Sequence, residues 1–453
     1  MQVIWARNAL IAGQWQHDVR IDLDAGRIAR CRPGAAPAGT RVDLVLPAPA
    51  NSHSHAFQRA MAGLTERRGP QEGDSFWTWR QLMFRFLDQL TPDQVQAIAA
   101  FVQMEMLEAG FGASVEFHYL HHQPGGAAYD DLAEMSGRIA AAAEQSGIGL
   151  TLLPVHYRFG GCDRRALGPG QMRFGTTPES YARLLEHAER AVRCLPEDAV
   201  LGVAPHSLRA VSRETLREMA ALRPNAPVHM HLAEQQAEVD EVQAYWGARP
   251  VQWARDNLPL DPRWCLIHCT QMTPEETVSL ARTGTVAGLC PLTEASLGDG
   301  IFDGLRWVGA RGALSIGSDS NIRISLAEEL RQLETSQRLR DHSRAAFATP
   351  ERSTGRRLME DAAIGGAQAA GRGSGGIETG AWADLLALDT AHPDLEGLAP
   401  DTALDSFVFT GDNRMVADVW SAGRHLVRAG RHIAREEITC GYRAAVKALR
   451  ATV

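Results

Sequence analysis

The feature that most constrains the fold is a regular alternation of short apolar runs with longer stretches of helical spacing. Runs of strand length recur along the middle of the chain, and the segments between them repeat their apolar residues every three to four positions, as helices do. Two of those segments, TPDQVQAIAAFVQMEMLEAG and TPESYARLLEHAERAVRCL, begin with a threonine suited to cap a helix. The alternation predicts an α/β protein built on a (β/α)8 TIM barrel with an outer ring of helices. The eight predicted strands cover residues 43–50, 113–120, 149–157, 200–207, 227–234, 264–270, 285–291 and 313–320.

Both ends of the chain have a different sequence pattern, in which short β-type runs follow one another without intervening helical segments. The N-terminal runs lie between residues 3 and 45, with a DAG hairpin turn at 24–26, and the C-terminal runs cover 382–389 and 415–433. We therefore predict a small composite β-sandwich domain to which both termini contribute. The predicted division is 1–46 for the N-terminal part of this domain, 47–372 for the barrel, and 373–453 for the C-terminal part with a terminal helix.

The charge balance argues against a nucleic-acid partner, because the 453 residues carry a formal net charge of -8 at pH 7 and no run of lysine and arginine with interleaved aromatics. The first residues lack a basic segment followed by an unbroken apolar stretch, and no later stretch stays apolar long enough to cross a bilayer. We therefore expect a soluble, cytoplasmic protein with no nucleic-acid and no membrane partner.

The seven cysteines are an odd number scattered along the chain, which suits reduced thiols better than a disulfide framework. Cys265 and Cys269 lie close enough in sequence to suggest a metal site, but a site of the zinc-finger kind needs a second pair that the sequence lacks. We expect both to be packing residues.

Polar residues that can bind metals or transfer protons end four of the predicted strands. In a (β/α)8 barrel the reacting groups lie at the C-terminal ends of the strands, so these residues would meet on one face. They are His53 and His55 at strand one, His229, His231 and Glu234 at strand five, His268 at strand six, and Asp319 at strand eight.

His53 and His55 are two residues apart on an extended chain, so their side chains leave the same face and can converge on one ion. With His231 and Asp319 they would offer a divalent metal three imidazoles and a carboxylate, leaving one position for water, as a catalytic zinc needs. A His-x-His pair alone is weak, since paired histidines are common in cores and on surfaces. The interpretation depends on the ordered set of strand ends.

That ordered set, His-x-His, His-x-x-Glu, His and Asp, resembles the metallo-dependent amidohydrolase superfamily, and within it the cytosine-deaminase-like branch. The resemblance implies a single metal ion, because no lysine ends strand four, where binuclear members carry a bridging carbamylated lysine. It also implies His231 as the ligand, since that family uses the histidine of His-x-x-Glu, and leaves His229 as a supporting or core residue. The implied cofactor is one divalent ion, expected to be zinc, with iron and manganese as alternatives for such a site.

By the same resemblance, three residues would carry the proton transfers of a hydrolytic deamination. Asp319 would bind the metal and help to deprotonate the attacking water, His268 would polarise it, and Glu234 would carry a proton to the leaving nitrogen. The same barrel and metal serve many chemistries, so the substrate needs its own argument.

The segments HSHAFQRAM, FWTWR, EFHYLHH, APHSLRAVS, HMHLAEQ, CPLTEASLGDG and SIGSDSN resemble those of formimidoylglutamate deiminases, and the likeness spans essentially the whole chain. A substrate with two carboxylates needs cations or strong donors, and arginine is the preferred bidentate partner. The resemblance implies hydrolysis of N-formimidoyl-L-glutamate to N-formyl-L-glutamate and ammonia in histidine degradation. A homodimer is expected because most soluble oligomeric enzymes are symmetric dimers. The implied substrate-binding residues are Gln58, Arg80, Tyr119, His206 and Arg209.

Several alternatives stay open at the level of sequence. Arg80 and Arg209 could be ordinary solvated or salt-bridged surface arginines. Many relatives read Cys-Pro-x-x-Asn after strand seven, whereas this chain has Glu294 in the last of those places, which can reshape the loop and the substrate rim. The chain could be another deaminase of the branch, acting on guanine, a triazine or an adenosine-like nucleoside, or a non-catalytic scaffold with this fold.

Overall fold

The fold is described from a computed structural model that covers residues 2–66 and 76–451, with the backbone alone for residues 76–78 and 81. Within these residues the strands are β1 (Gln2–Ile11), β2 (Gln14–Asp24), β3 (Arg27–Arg32), β4 (Thr40–Pro47), β5 (Ala50–Ser54), β6 (Ala113–His118), β7 (Gly149–His156), β8 (Val200–Leu201), β9 (Ala204–Pro205), β10 (Val228–Leu232), β11 (Trp264–His268), β12 (Val286–Leu289), β13 (Ala313–Ile316), β14 (Leu385–Leu388), β15 (Val416–Ser421), β16 (Arg424–Arg428) and β17 (Arg431–His432).

Helices fill most of the connections between the central strands. They are α1 (Phe76–Leu87), α2 (Pro92–Glu108), α3 (Glu134–Ser146), α4 (Pro178–Val192), α5 (Arg213–Ala221), α6 (Gln236–Trp246), α7 (Pro250–Asn257), α8 (Pro274–Ala281), α9 (Pro291–Leu297), α10 (Gly304–Gly309), α11 (Leu326–Asp341), α12 (Thr354–Ala370), α13 (Pro400–Phe409) and α14 (Arg435–Arg450). As the sequence predicts, Thr91 caps α2 and Thr177 caps α4, each accepting a hydrogen bond from a backbone N–H three residues on. None of the helices described is long and apolar enough to span a membrane.

Strands from both ends of the chain form one mixed sheet in the order β17-β16-β15-β14-β4-β1-β2-β3. Its two halves meet at β4, which pairs parallel with β1 on one edge and antiparallel with β14 on the other. Because β4 uses both edges, all eight strands are one continuous sheet, and not two separately bonded sheets as a sandwich would have. The predicted DAG turn joins β2 to β3 with positive φ at Ala25 (46°) and Gly26 (79°), as a tight hairpin turn requires.

The central strands form two parallel sheets, β5-β6-β7-β8 with β9 beside β7, and β10-β11-β12-β13. Isolated parallel bridges join the two sheets on both sides, Ser54 to Asp319 and Val203 to Val228. Nearly every residue of these strands is buried, as expected for parallel strands covered on both faces.

The first predicted strand, residues 43–50, is divided between two sheets. Residues 43–47 belong to β4 of the terminal sheet, whereas Ala50 begins β5 of the central strands. Pro47 and Pro49 lie at the division, and neither has the backbone N–H that a continuous ladder needs. As a result His53 lies within β5 and not beyond the end of a strand. The fourth predicted strand, 200–207, is likewise interrupted into β8 and β9.

Helix α12 packs very closely on the central strands through two adjacent glycines. A Cβ added at Gly365 would overlap the carbonyl oxygen of Leu314 in β13. A Cβ added at Gly366 would lie 2.9 Å from the carbonyl oxygen of Ala50 in β5. The absence of side chains at these positions therefore allows α12 to cover the two strands that lead into the site described below.

A buried ion network connects the central strands to the terminal sheet. Arg372, which follows α12, lies 3.0 Å from an oxygen of Asp198 and 3.1 Å from one of Asp384. Arg424 of β16 lies 2.7 Å from Asp198, so one carboxylate holds two guanidinium groups. Pairs of this kind, desolvated and hydrogen-bonded on both sides, fix the relative position of the elements that carry them.

Candidate functional site

Three imidazoles converge at one point among the central strands. His53 in β5, His55 just beyond it and His231 in β10 are all buried, and one donor atom of each lies within 4.8 Å of the others. The Nε2 atoms of His53 and His231 are 3.1 Å apart. Asp319 brings its Oδ1 to 3.3 Å from His55 Nε2 and 3.5 Å from His53 Nε2.

The protonation of these imidazoles suits metal binding. Nδ1 of His55 lies 2.9 Å from the carbonyl oxygen of Phe117, and Nδ1 of His231 lies 3.2 Å from that of His206. A carbonyl only accepts hydrogen bonds, so both Nδ1 atoms donate and both Nε2 atoms keep their lone pairs for the common point.

Electrostatics favours the same state. Burial lowers the pKa of His53 to about 3 and also lowers the pKa values of His55 and His231, so the rings are neutral. Burial opposes ionisation of Asp319, but the hydrogen bond from His53 and the nearby imidazoles hold its pKa below the usual range. Three neutral nitrogen donors beside one anion form a group that fits a divalent metal ion.

Backbone strain marks the strand ends that carry three of the predicted site residues. Ala233, His268 and Asp319 have positive φ values of 51°, 71° and 45°. A residue with a Cβ held in this region costs roughly 1–3 kcal/mol, so the surrounding structure must over-determine its conformation. The strain lies at the ends of β10, β11 and β13, where it directs Glu234, His268 and Asp319 toward one another.

Glu234 and His268 lie at the edge of the imidazole group. His268 Nε2 is 3.8 Å from Glu234 Oε1 and 4.0 Å from Asp319 Oδ2. Burial raises the pKa of Glu234. Burial alone would lower the pKa of His268, but the carboxylates of Glu234, Asp319 and Glu294 raise it to about 10. Glu234 and His268 therefore form a buried pair, 3.8 Å apart, that can hold a proton beside the imidazole group.

A cleft of about 540 Å³, its open mouth included, leads to this group, and its lining contains every predicted site residue except the fully buried His53. Gln58 donates a 2.8 Å hydrogen bond to the Tyr119 hydroxyl. Arg80 donates one of 2.7 Å to the Tyr157 hydroxyl. Arg209 also lines the cleft and lies 3.9 Å from Glu234. Both predicted arginines therefore face the cleft.

The sequence interpretation missed several residues of this region. Tyr157 follows β7 and lines the cleft, and the strand-end rule used for the histidines could have found it. Glu238 accepts hydrogen bonds from the backbone N–H groups of Glu234 (3.1 Å) and Ala233 (3.3 Å), and no local pattern indicates this. The cleft is also lined by Trp79, Met83, Phe174 and Leu297.

The other histidines and cysteines singled out by the sequence have different surroundings. His229 Nε2 lies 2.7 Å from the carbonyl oxygen of Ala369, outside the three-histidine group. Cys265 and Cys269 are buried thiols without a disulfide. Among residues 2–66 and 76–451, one other group of three donor atoms lies within 4.8 Å, and it consists of His268, Cys290 and Glu294.

Comparison with known proteins assigns the family. The model of the Amidohydrolase family matches residues 44–426, and that of the N-terminal domain of formimidoylglutamate deiminase HutF matches residues 1–41. A formimidoylglutamate deiminase of Pseudomonas aeruginosa is 46% identical over 441 residues, which cover 96% of this chain and 97% of that protein. A crystal structure of an amidohydrolase from Brucella melitensis has a TM-score of 0.95 at 46% identity, covering 99% of this chain and 100% of the other. An adenosine deaminase from Xanthomonas campestris, crystallised with bound zinc, shares the fold with a TM-score of 0.82 at 20% identity, over 99% and 98% of the two chains. This chain is therefore an enzyme of the amidohydrolase family and, within that family, belongs to the formimidoylglutamate deiminases.

Proposed function

We propose that this enzyme hydrolyses N-formimidoyl-L-glutamate to N-formyl-L-glutamate and ammonia, a step of histidine degradation. One observation carries the proposal: a single cleft is lined by His55 and His231 of the imidazole group, by Glu234, and by the two arginines Arg80 and Arg209. A dicarboxylate needs such cations, whereas a neutral heterocycle does not. The identity of 46% to the Pseudomonas aeruginosa deiminase supports the same substrate.

We propose that the cofactor is one zinc ion held by His53, His55, His231 and Asp319. Neutral imidazoles with one carboxylate are a common donor set of catalytic zinc, and they leave a position for water. When bound, the ion would act as a Lewis acid that lowers the pKa of water at that position.

Three side chains have proposed roles in proton transfer. Asp319 accepts the proton that the attacking water loses, and His268 Nε2 holds a hydrogen bond to the oxygen during attack on the amidine carbon. Glu234 delivers a proton to the nitrogen that leaves, and the proton taken by Asp319 completes the ammonia. As the bond from that carbon to nitrogen breaks, the oxygen becomes the formyl carbonyl and gives its remaining proton to Glu234. The raised pKa of the buried Glu234 supports this role.

The substrate carboxylates are proposed to bind Arg80 and Arg209, with Gln58, Tyr119 and His206 as further donors. The two arginines have different neighbours in the cleft. Arg80 donates a hydrogen bond to the Tyr157 hydroxyl, and Arg209 lies 3.9 Å from Glu234 and 4.0 Å from Glu238. Two guanidinium groups in one cleft match the two charges of the substrate.

We further propose that residues 47–372 form a closed (β/α)8 barrel, and that 1–46 and 373–453 form the composite β domain. The two bridges between the central sheets support closure, and the eight-stranded terminal sheet supports the shared domain. A cytoplasmic homodimer is proposed from the enzyme's class and size.

The test is release of ammonia from N-formimidoyl-L-glutamate by purified protein loaded with zinc, with guanine, cytosine and adenosine as comparison substrates. We expect turnover of the amidine, its loss on chelation and its recovery when zinc is restored. Ammonia from a heterocycle with none from the amidine would instead identify another deaminase of the branch. No turnover of any substrate, with no bound metal, would favour the scaffold.

A further inference from the structure

Glu294 contacts His268 from the side away from the reacting groups. Its Oε1 lies 3.2 Å from His268 Nδ1 and accepts a 2.8 Å hydrogen bond from the backbone N–H of Cys290. Glu294 is 5% exposed, and it is not among the described residues that line the cleft. It therefore has no route to a bound substrate except through the imidazole that it touches.

The orientation of that imidazole matters because its other nitrogen faces two carboxylates. His268 Nε2 lies 3.8 Å from Glu234 and 4.0 Å from Asp319. A half-turn of the ring about its bond to Cβ would replace Nε2 with a carbon atom, so that no nitrogen donor of His268 would face these carboxylates. An acceptor at Nδ1 prevents this rotation and keeps a proton on Nδ1.

The backbone does not provide the same constraint by itself. His268 and Cys269 both have positive φ values, 71° and 52°, so the chain turns sharply where the imidazole begins. Glu294 is fixed from its own side, because it lies in α9 and its backbone N–H donates 2.9 Å to the carbonyl oxygen of Cys290. The helix thus presents a stationary carboxylate to a residue at a strained strand end.

We propose that Glu294 is a positioning residue for the deimination: it holds the ring plane and the Nδ1 proton of His268 so that Nε2 faces the reacting atoms. This inference rests on the proposed function. It gives a role to the buried carboxylate through which α9 contacts His268.

A double-mutant cycle with Glu294→Leu, Glu294→Gln, His268→Asn and the His268→Asn/Glu294→Leu pair tests the proposal on the zinc-loaded enzyme. We expect Glu294→Leu to lower kcat about 10–100-fold, the usual effect of losing such a supporting partner, with KM within about twofold and one equivalent of metal retained. Glu294→Gln keeps an acceptor oxygen of the same length, so it should restore most of kcat. In the His268→Asn background, Glu294→Leu should cause no further loss, because the residue it acts through is already absent.

Two outcomes would overturn the proposal. An equal loss of kcat from Glu294→Leu in both backgrounds would show that Glu294 acts independently of His268. A second metal equivalent in the wild type that Glu294→Leu alone removes would show instead that His268, Cys290 and Glu294 form a second metal site.

A readout without substrate separates this proposal from the proposed function. In ¹⁵N-histidine spectra of the zinc-loaded enzyme, Glu294→Leu should shift the ring signals of His268, assigned with His268→Asn, and leave those of His53, His55 and His231 in place. Unchanged His268 signals would contradict positioning even if the wild type turned over the amidine. If the wild type does not turn it over, the proposed substrate is wrong, and a shift of the His268 signals still supports positioning.

Discussion

At the residue scale, the histidine group depends on contacts that leave no room for additional atoms. A Cβ at Gly317 would lie 2.7 Å from the Cβ of His53 and 2.8 Å from its backbone nitrogen and oxygen. The chain after β13 can therefore approach β5 closely only because residue 317 is glycine. This approach brings Asp319 to the imidazoles of His53 and His55.

His231→Ala is expected to lose bound metal and activity together. The three remaining ligands would leave the position of the lost imidazole to water, which binds the ion more weakly. His229→Ala is the matched control two residues earlier on β10, where the ring contacts the Ala369 carbonyl. It should keep one equivalent of metal, measured by elemental analysis of the purified variants. A His231→Ala protein with a full equivalent would identify a different ligand.

Glu234→Gln is expected to keep the fold and the metal but lower kcat by roughly 10²–10⁴-fold, since an amide preserves shape and cannot carry a proton. Steady-state kinetics with a parallel metal assay measure both effects. Turnover close to that of the wild type would rule out Glu234 as the proton carrier.

Some residues of the candidate site could be predicted from their position at a strand end, and others could not. His53, His55, His231, Glu234, His268 and Asp319 could be predicted because the C-terminal ends of parallel strands meet on one face. Glu238 and Glu294 could not, because their contacts depend on how helices α6 and α9 dock, and a glutamate in a helix is ordinarily solvated.

At the scale of elements, the sequence predicted the alternation of strands and helices better than the strand limits. Residues 44–50 are continuously apolar, and periodicity alone cannot show that one run serves two sheets. The prolines at 47 and 49 were the available signal for the division. The close docking of α12 through Gly365 and Gly366 has no signature beyond the glycines themselves.

Gly365→Ala is expected to destabilise the enzyme by about 1–3 kcal/mol, because its Cβ would overlap the Leu314 carbonyl and push α12 away from β13. Gly137→Ala in α3 is the control, since its Cβ would meet nothing within 4 Å. That change should be neutral or stabilising by about 0.5–1 kcal/mol, as alanine favours a helix. Denaturant titration of both variants gives the comparison, and equal stabilities would contradict the close contact.

At the scale of the whole molecule, the ion network links stability to pH. Burial would raise the pKa of Asp198, but the hydrogen bonds and charges of Arg424 and Arg372 hold it below the usual value. A carboxyl group whose pKa is lower in the folded than in the unfolded state stabilises the fold above the unfolded value, about 3.9. That contribution is lost as the pH falls through the folded value.

Asp198→Asn is therefore expected to lower the free energy of unfolding by about 3–5 kcal/mol at pH 7, since the buried Arg372 and the partly exposed Arg424 lose their shared carboxylate. The difference from wild type should shrink as the pH falls below about 4. Asp256→Asn, whose side chain is 53% exposed beside Arg255, is the control and should differ little at any pH. A constant difference for Asp198→Asn across the pH range would contradict the linkage.

The position of β4 between β1 and β14 has a consequence for how the chain is made. Roughly 340 residues separate β4 from β14. A ribosome that adds 5–20 residues per second needs about 17–70 s to synthesise this segment. During that time β1 can pair with one edge of β4, while the other edge, which includes Leu44 and Leu46, has no partner from its own chain. An open edge of this kind is a template for other strands, so the nascent enzyme presents a site for chaperones, or for a neighbouring nascent chain, until β14 has been synthesised.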